Sequence, residues 1–220
     1  DRRRLLYCLR ATRFDAGIAM ATGFTAVFIS IEFSILIGTF LSFLFFVPRA
    51  ARLQATELVI SPERVIRERL PTDPMCTKMA LVSLEGELFF GAAPELEEFF
   101  EELTQRTREG IRIIVLRLKR TRNPDMVCLD ILQRYLKEMQ AREVTVLLCG
   151  IREDFAQALK NLRFHHWLAP ERLFLEEATT GSSTLRAVRT AYEILGNDLC
   201  PTCPRPLDAK SPPGDWYYMI

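Results

Sequence analysis

The spacing of apolar and polar positions divides the chain into two regimes. From Ala16 to Val47 the sequence AGIAMATGFTAVFISIEFSILIGTFLSFLFFV holds one ionisable residue, Glu32. A membrane-crossing helix takes about 20 apolar residues, so this run is too long for one crossing and fits two short ones. It predicts a helical hairpin over roughly 15–31 and 32–47, turning at Ser30-Ile31-Glu32 and closed by Pro48. Beyond Arg52 the pattern becomes that of a folded domain. Glu57–Ile60 and Arg64–Arg67 alternate as a pair of short strands around Ser61-Pro62-Glu63. Leu81–Leu84 and Leu88–Phe90 read as a strand hairpin turning at Glu85-Gly86-Glu87. Leu96, Phe99, Phe100 and Leu103 then mark the buried stripe of a helix over Ala93–Glu109, stopped by Gly110.

Two runs that are apolar without alternation, Ile111–Leu118 and Val144–Cys149, read as strands covered on both faces, the latter broken by Gly150. Between them Leu129, Leu132, Leu136 and Met139 repeat at helical spacing behind a capping residue, Asp125. Further helices are expected over Glu153–Leu162 and from Ser182, with a short strand at Leu173–Leu175. Strands alternating with helices predict an α/β domain with a mainly parallel or mixed sheet. The expected divisions are a basic juxtamembrane arm (1–14), a transmembrane helical hairpin (15–47), a linker with short strands (48–74), the α/β domain (75–197) and an irregular Pro-rich tail (198–220).

Charge sharpens the membrane reading. Arg2, Arg3, Arg4, Arg10 and Arg13 precede the apolar run, and Arg49 and Arg52 follow it. Lys and Arg mark the cytoplasmic flank, and two basic flanks imply an even number of crossings. Placed at the turn, Glu32 lies near an interface; in one long helix it would sit mid-membrane at a cost of about 2.5–3.5 kcal/mol. The run exceeds the apolar core of a cleaved signal, about 7–15 residues. The six cysteines show no disulfide framework, as on a reducing side of the membrane. The chain starts at Asp1 without methionine and is read as a piece of a longer protein.

Ile31-Glu32-Phe33-Ser34-Ile35-Leu36-Ile37-Gly38 and Leu41-Ser42-Phe43-Leu44 resemble the last two membrane helices of SulP-type anion transporters. Leu84-Glu85-Gly86-Glu87-Leu88-Phe89-Phe90-Gly91-Ala92-Ala93 and Leu136–Gly150 are similar to segments of their cytoplasmic STAS domain. The resemblance implies a STAS-like mixed sheet flanked by helices, attached to a transporter of sulfate- or bicarbonate-type anions. It further implies that the substrate site lies in other helices, and that the STAS part serves regulation, assembly or partner binding. Implied partners are the remaining transmembrane helices, a second copy in a homodimer, membrane lipid and a cytoplasmic protein, with no nucleic acid. A membrane-anchored STAS regulator without transport activity is the alternative. STAS domains of the anti-anti-sigma kind carry a phosphorylatable hydroxyl just after an aspartate at the head of the second helix. Here Asp125 is followed by Met126, Val127 and Cys128, none of which bears a hydroxyl, so no phosphoserine switch is expected at that position.

Candidate chemistry is sparse. Lys119, Arg120, Arg122 and Arg152 fall where strands end, the usual ligand crevice of open α/β sheets, and are candidate anion or nucleotide-phosphate contacts. A solvated basic loop is the weightier alternative. Cys200-Pro-Thr-Cys203 has half of a zinc-knuckle spacing without a second pair, and His165-His166 are adjacent, so no metal site is expected. No nucleophile, base and orienting group can be assembled; neither enzymatic activity nor a cofactor is expected.

Overall fold

The apolar run from Ala16 to Val47 offers its backbone few side-chain partners, and helix pairs N–H with C=O within one segment. In the computed structural model, which describes residues 13–61, 65–177, 182–198, 200–201 and 217–218, this stretch forms α1 (Arg13–Phe28) and α2 (Ile31–Ala50). Two units are distinguished, residues 1–51 and 52–220.

Within the first unit the helices pack antiparallel. The Phe14 and Phe45 rings lie 5.5 Å apart, and a Cβ on Gly38 would come within 3.1 Å of the Thr22 hydroxyl. Thr25 and Ser34 are buried between the helices. Hydroxyls in the helices bond back to their own backbone: Thr25 to Ala21 O at 2.7 Å, Ser34 to Ile31 O at 2.8 Å and Ser42 to Gly38 O at 2.7 Å. Most large apolar side chains point outward, among them Phe24, Val27, Phe28, Ile35, Leu36, Phe40 and Phe46. Ile31–Arg49 is long and apolar enough to cross a membrane.

Two details differ from expectation. The turn comes at Ile29-Ser30, because Ser30 caps α2 by accepting the Phe33 N–H at 3.3 Å. Glu32 therefore lies in the first turn of α2, where the helix dipole favours a carboxylate. Pro48 does not end α2, which runs on to Ala50. Only the last turn follows Pro48, so the missing N–H costs one bond, and Ala51 N still reaches Val47 O at 2.9 Å.

The second unit is built on a seven-stranded mixed sheet in the order β6-β5-β4-β3-β1-β2-β7. The strands are β1 (Gln54–Ile60), β2 (Val65–Glu68), β3 (Met79–Glu87), β4 (Ile113–Arg122), β5 (Thr145–Ile151), β6 (Leu173–Leu175) and β7 (Tyr217–Tyr218). β3 to β6 run parallel, and β1 is antiparallel to both its neighbours. The stretch expected as a linker with short strands contributes β1 and β2 to this sheet, Leu58 facing Leu81 and Ile60 facing Ile66. From the tail, Tyr217–Tyr218 pairs parallel with Val65–Ile66.

Helices α3 (Ala93–Arg108), α4 (Met126–Ala141) and α5 (Glu153–Asn161) share one face, and α6 (Ser182–Leu195) takes the other. The unbroken apolar runs of β4 and β5 follow from this. Ile114, Leu116, Val146 and Leu148 face α3 to α5, whereas Ile113, Val115, Leu147 and Cys149 face α6. The Phe100 and Tyr135 rings stack at 4.1 Å where α3 meets α4.

The expected strand hairpin at Leu81–Phe90 is absent: β3 is one strand with a bulge between Ser83 and Glu85. Gly86 takes φ +132° inside it, and its Cβ position is 2.9 Å from the Leu53 side chain and 3.0 Å from the Arg52 carbonyl. The glycine admits the neighbouring chain instead of reversing its own. Leu88 leaves the sheet, and Phe90–Ala92 form a 3-10 turn into α3. Nor does Gly150 break β5, which continues to Ile151 past an irregularity at Cys149/Ile151.

Candidate functional site at the start of α4

The carboxyl ends of β3 and β4 and the N-terminus of α4 meet around Asp125. Its amide donates to Leu88 O at 2.8 Å. Its Oδ1 accepts the Cys128 N–H at 3.0 Å, capping the helix, and its Oδ2 accepts the Phe90 N–H at 2.5 Å. One carboxylate thus ties the loop after β3 to the head of α4, using the short polar side chain that helix starts favour. Cys128 lies beneath, its Sγ donating to Phe89 O at 3.3 Å. Burial, with the Asp125 charge adding to it, pushes its thiol up to about 12, so it is a packed donor and no nucleophile. Met126 and Val127 face outward beside Phe90, Met126 being 76% exposed. The aromatic was hidden from sequence reasoning because Phe90 reads as strand.

The four cations expected here lie along the same edge, and three are matched by carboxylates. Lys119 Nζ is 2.7 Å from Glu176 Oε1, Arg120 Nη1 is 2.9 Å from Glu85 Oε1, and Arg152 Nε is 3.6 Å from Asp154 Oδ1. Arg122 is exposed and has no ion pair among the described residues; next to it Asn123 donates to Glu87 Oε2 at 2.6 Å. The register explains the matching, since Glu85 sits across from Arg120 and Glu87 from Arg122. Ser183 Oγ donates to Glu176 Oε2 at 2.7 Å. Burial works to raise the Glu176 pKa, but hydrogen bonds from Lys119 and Ser183, with the charges of Lys119 and Arg117, outweigh it and hold the carboxyl below its ordinary value. Glu176 was missed by sequence reasoning; it is reached only through the β5–β6 pairing, which no local motif reports. Glu32 belongs to the first unit. No metal-ligating cluster occurs among the described residues, and Cys203 lies outside them.

The sequence pattern of the STAS domain matches residues 71–180. The chain belongs to the STAS-domain family. Among solved structures, SLC26A9 superposes on the STAS chain with a TM-score of 0.67 at 12% identity, over 87% of this chain and 32% of that one. The murine anion transporter solute carrier 26 member A9, in an inward-facing state, gives 0.62 at 14% identity, over 86% and 30%. The chain therefore spans about a third of the length of these transporters. A sulfate transporter family protein from Wolinella succinogenes aligns at 20% identity over 56% of this chain and 91% of that one, with a TM-score of 0.44. No curated protein matches the chain.

Proposed function

We propose that the chain is the C-terminal part of a SulP-type secondary anion transporter, with α1 and α2 as its last two membrane-spanning helices and the STAS domain on the cytoplasmic side. The observation that carries this reading is the extent of the superposition. Residues 52–220 make up about 77% of the chain, whereas the match to SLC26A9 covers 87%, so it runs beyond the STAS unit into the helical pair. The outward apolar side chains of α1 and α2, their internally bonded hydroxyls and the arginines on both flanks support a hairpin in lipid.

At about 1.5 Å per residue, the 16 residues of α1 reach about 24 Å and the 20 of α2 about 30 Å, against a hydrocarbon core of about 30 Å. With α1 shorter than the core is thick, the pair fits as members of a larger bundle, with Gly17, Ala21 and Gly23 allowing close helix approach. The STAS domain serves assembly, regulation or partner binding. Three of the four strand-end cations are already matched by carboxylates, which favours a structural role for them over anion capture.

The test is anion uptake by the complete protein in proteoliposomes, with sulfate and bicarbonate as probes, before and after removal of residues 52–220. The cut is made at 52 because a later one would leave β1 and β2 without the sheet. The expected result is uptake that falls in rate or in the amount of assembled protein while the preferred anion stays the same. Absence of any inorganic anion flux in the complete protein overturns the transporter reading; an altered preference overturns the role given to the domain.

A further inference from the structure

We propose that Cys76 and Cys200 form a site of reversible thiol oxidation, closing into a disulfide that fastens the chain after α6 to the strand entering the sheet. Their Sγ atoms lie 3.5 Å apart although 124 positions separate them in sequence. A second contact holds the same two segments together. Lys78 Nζ is 2.7 Å from Asp198 Oδ1, two residues after one cysteine and two before the other, and Arg112 Nε stands 3.9 Å from Asp198 Oδ2. This ionic clamp brings the thiols into contact, so a disulfide of about 2.05 Å requires an approach of about 1.5 Å and no rearrangement of the sheet. Cys128 and Cys149 are engaged elsewhere, with Phe89 O and the Thr184 hydroxyl.

The surroundings assign the two sulfurs different parts. Cys76 is half-buried, accepts the Met79 N–H at 3.3 Å, and opens on a groove of about 480 Å³ lined by Leu58, Ile60, Leu81, Tyr192 and Pro201. Cys200 is 5% exposed. A hydroperoxide therefore meets Cys76 first. The Cys76 thiolate attacks one peroxide oxygen, the O–O bond breaks, and the departing oxygen leaves as water, giving a sulfenic acid. The Cys200 thiolate then attacks the Cys76 sulfur, the S–O bond breaks, and hydroxide leaves with a proton as a second water. Two thiols and one hydrogen peroxide become a disulfide and two waters, and a small dithiol reverses the change. On a reducing side of the membrane both sulfurs rest as thiols, and the pair responds to an oxidant pulse. None of this depends on transport, and the test needs no flux measurement.

The 220-residue chain in detergent is treated with hydrogen peroxide, alkylated with iodoacetamide and digested with trypsin. The expected product joins peptide 70–78 to peptide 190–210, with the loss of two hydrogens, and disappears on treatment with dithiothreitol. It is absent from Cys76→Ser and Cys200→Ser and retained in Cys203→Ser. Lys78→Gln keeps both thiols but weakens the clamp; its Cys76 peptide runs 70–106 because the cleavage site at 78 is lost, and its linking to peptide 190–210 is expected to slow several-fold while Cys128 and Cys149 stay protected from alkylation. A bridge confined to peptide 190–210, joining Cys200 to Cys203, overturns the proposal. Linking at the same rate in urea as in the folded chain, or unchanged linking in Lys78→Gln, overturns it equally.

Discussion

Replacing Asp125 with alanine removes a carboxylate that accepts two backbone N–H groups from different segments, Cys128 at 3.0 Å and Phe90 at 2.5 Å. Loss of a helix N-cap costs about 1 kcal/mol, within a range of about 0.5–2. The Phe90 bond adds about 0.5–1.5 kcal/mol, in the lower part of that range because the group is partly open to water. Together these give about 2 kcal/mol for Asp125→Ala. Asp125→Asn caps a helix about as well as aspartate, but its amide faces one of the two N–H donors, so the expected loss is roughly half. Cys149 supplies the readout. It is fully buried, and burial, only partly offset by Thr184 and Arg117, pushes its thiol up to about 12, so alkylation at neutral pH reports unfolding. Pulse alkylation of Cys149 across a urea series gives the unfolding midpoint, which should fall in the order parent, Asp125→Asn, Asp125→Ala, with an unchanged slope. An alanine variant within about 0.5 kcal/mol of the parent, or an asparagine variant as damaged as the alanine one, would refute the double-acceptor argument.

Gly150→Ala meets both a backbone at φ +71° and a Cβ site 2.8 Å from the Lys119 amide nitrogen, so it should cost about 2–4 kcal/mol; a parent-like urea midpoint would show that β4 yields there. The carboxyl of Asp73 is held at about 2, first by the hydrogen bond from Arg67 and then by that from the Leu70 amide. A lowered folded pKa means that its contribution is complete above the unfolded value near 4 and is lost as the pH falls towards 2. An NMR titration should show the Leu70 amide shifting in that window, and Asp73→Asn should abolish the shift.

Legibility in the sequence followed how local the physics was. The helical hairpin, the stripe of Leu96, Phe100 and Leu103, the Asp125 cap and the doubly covered strands of Ile113–Leu116 and Val146–Cys149 all rest on composition or spacing within a few residues. Glycine was the main source of error. Gly86 and Gly150 read as turn and breaker, yet each accommodates a neighbouring segment, the chain entering β1 and β4 respectively, a requirement set by residues far along the chain. Pro48 misled for a related reason, since a proline near the end of a helix forfeits little. At the candidate site the cations were visible as letters, but their matching carboxylates on β3 and after β6 were not, because register decides them. The nearness of Cys76 and Cys200 is likewise a property of topology alone.

From β3 to β6, each new strand is laid beside the one made just before it. Such a layout keeps loop closures short, and it lets the domain be assembled from its amino end as the ribosome delivers it. A ribosome paused after β5 would then carry a nascent chain whose inner strands are already protected from proteases, well before α6 has been synthesised.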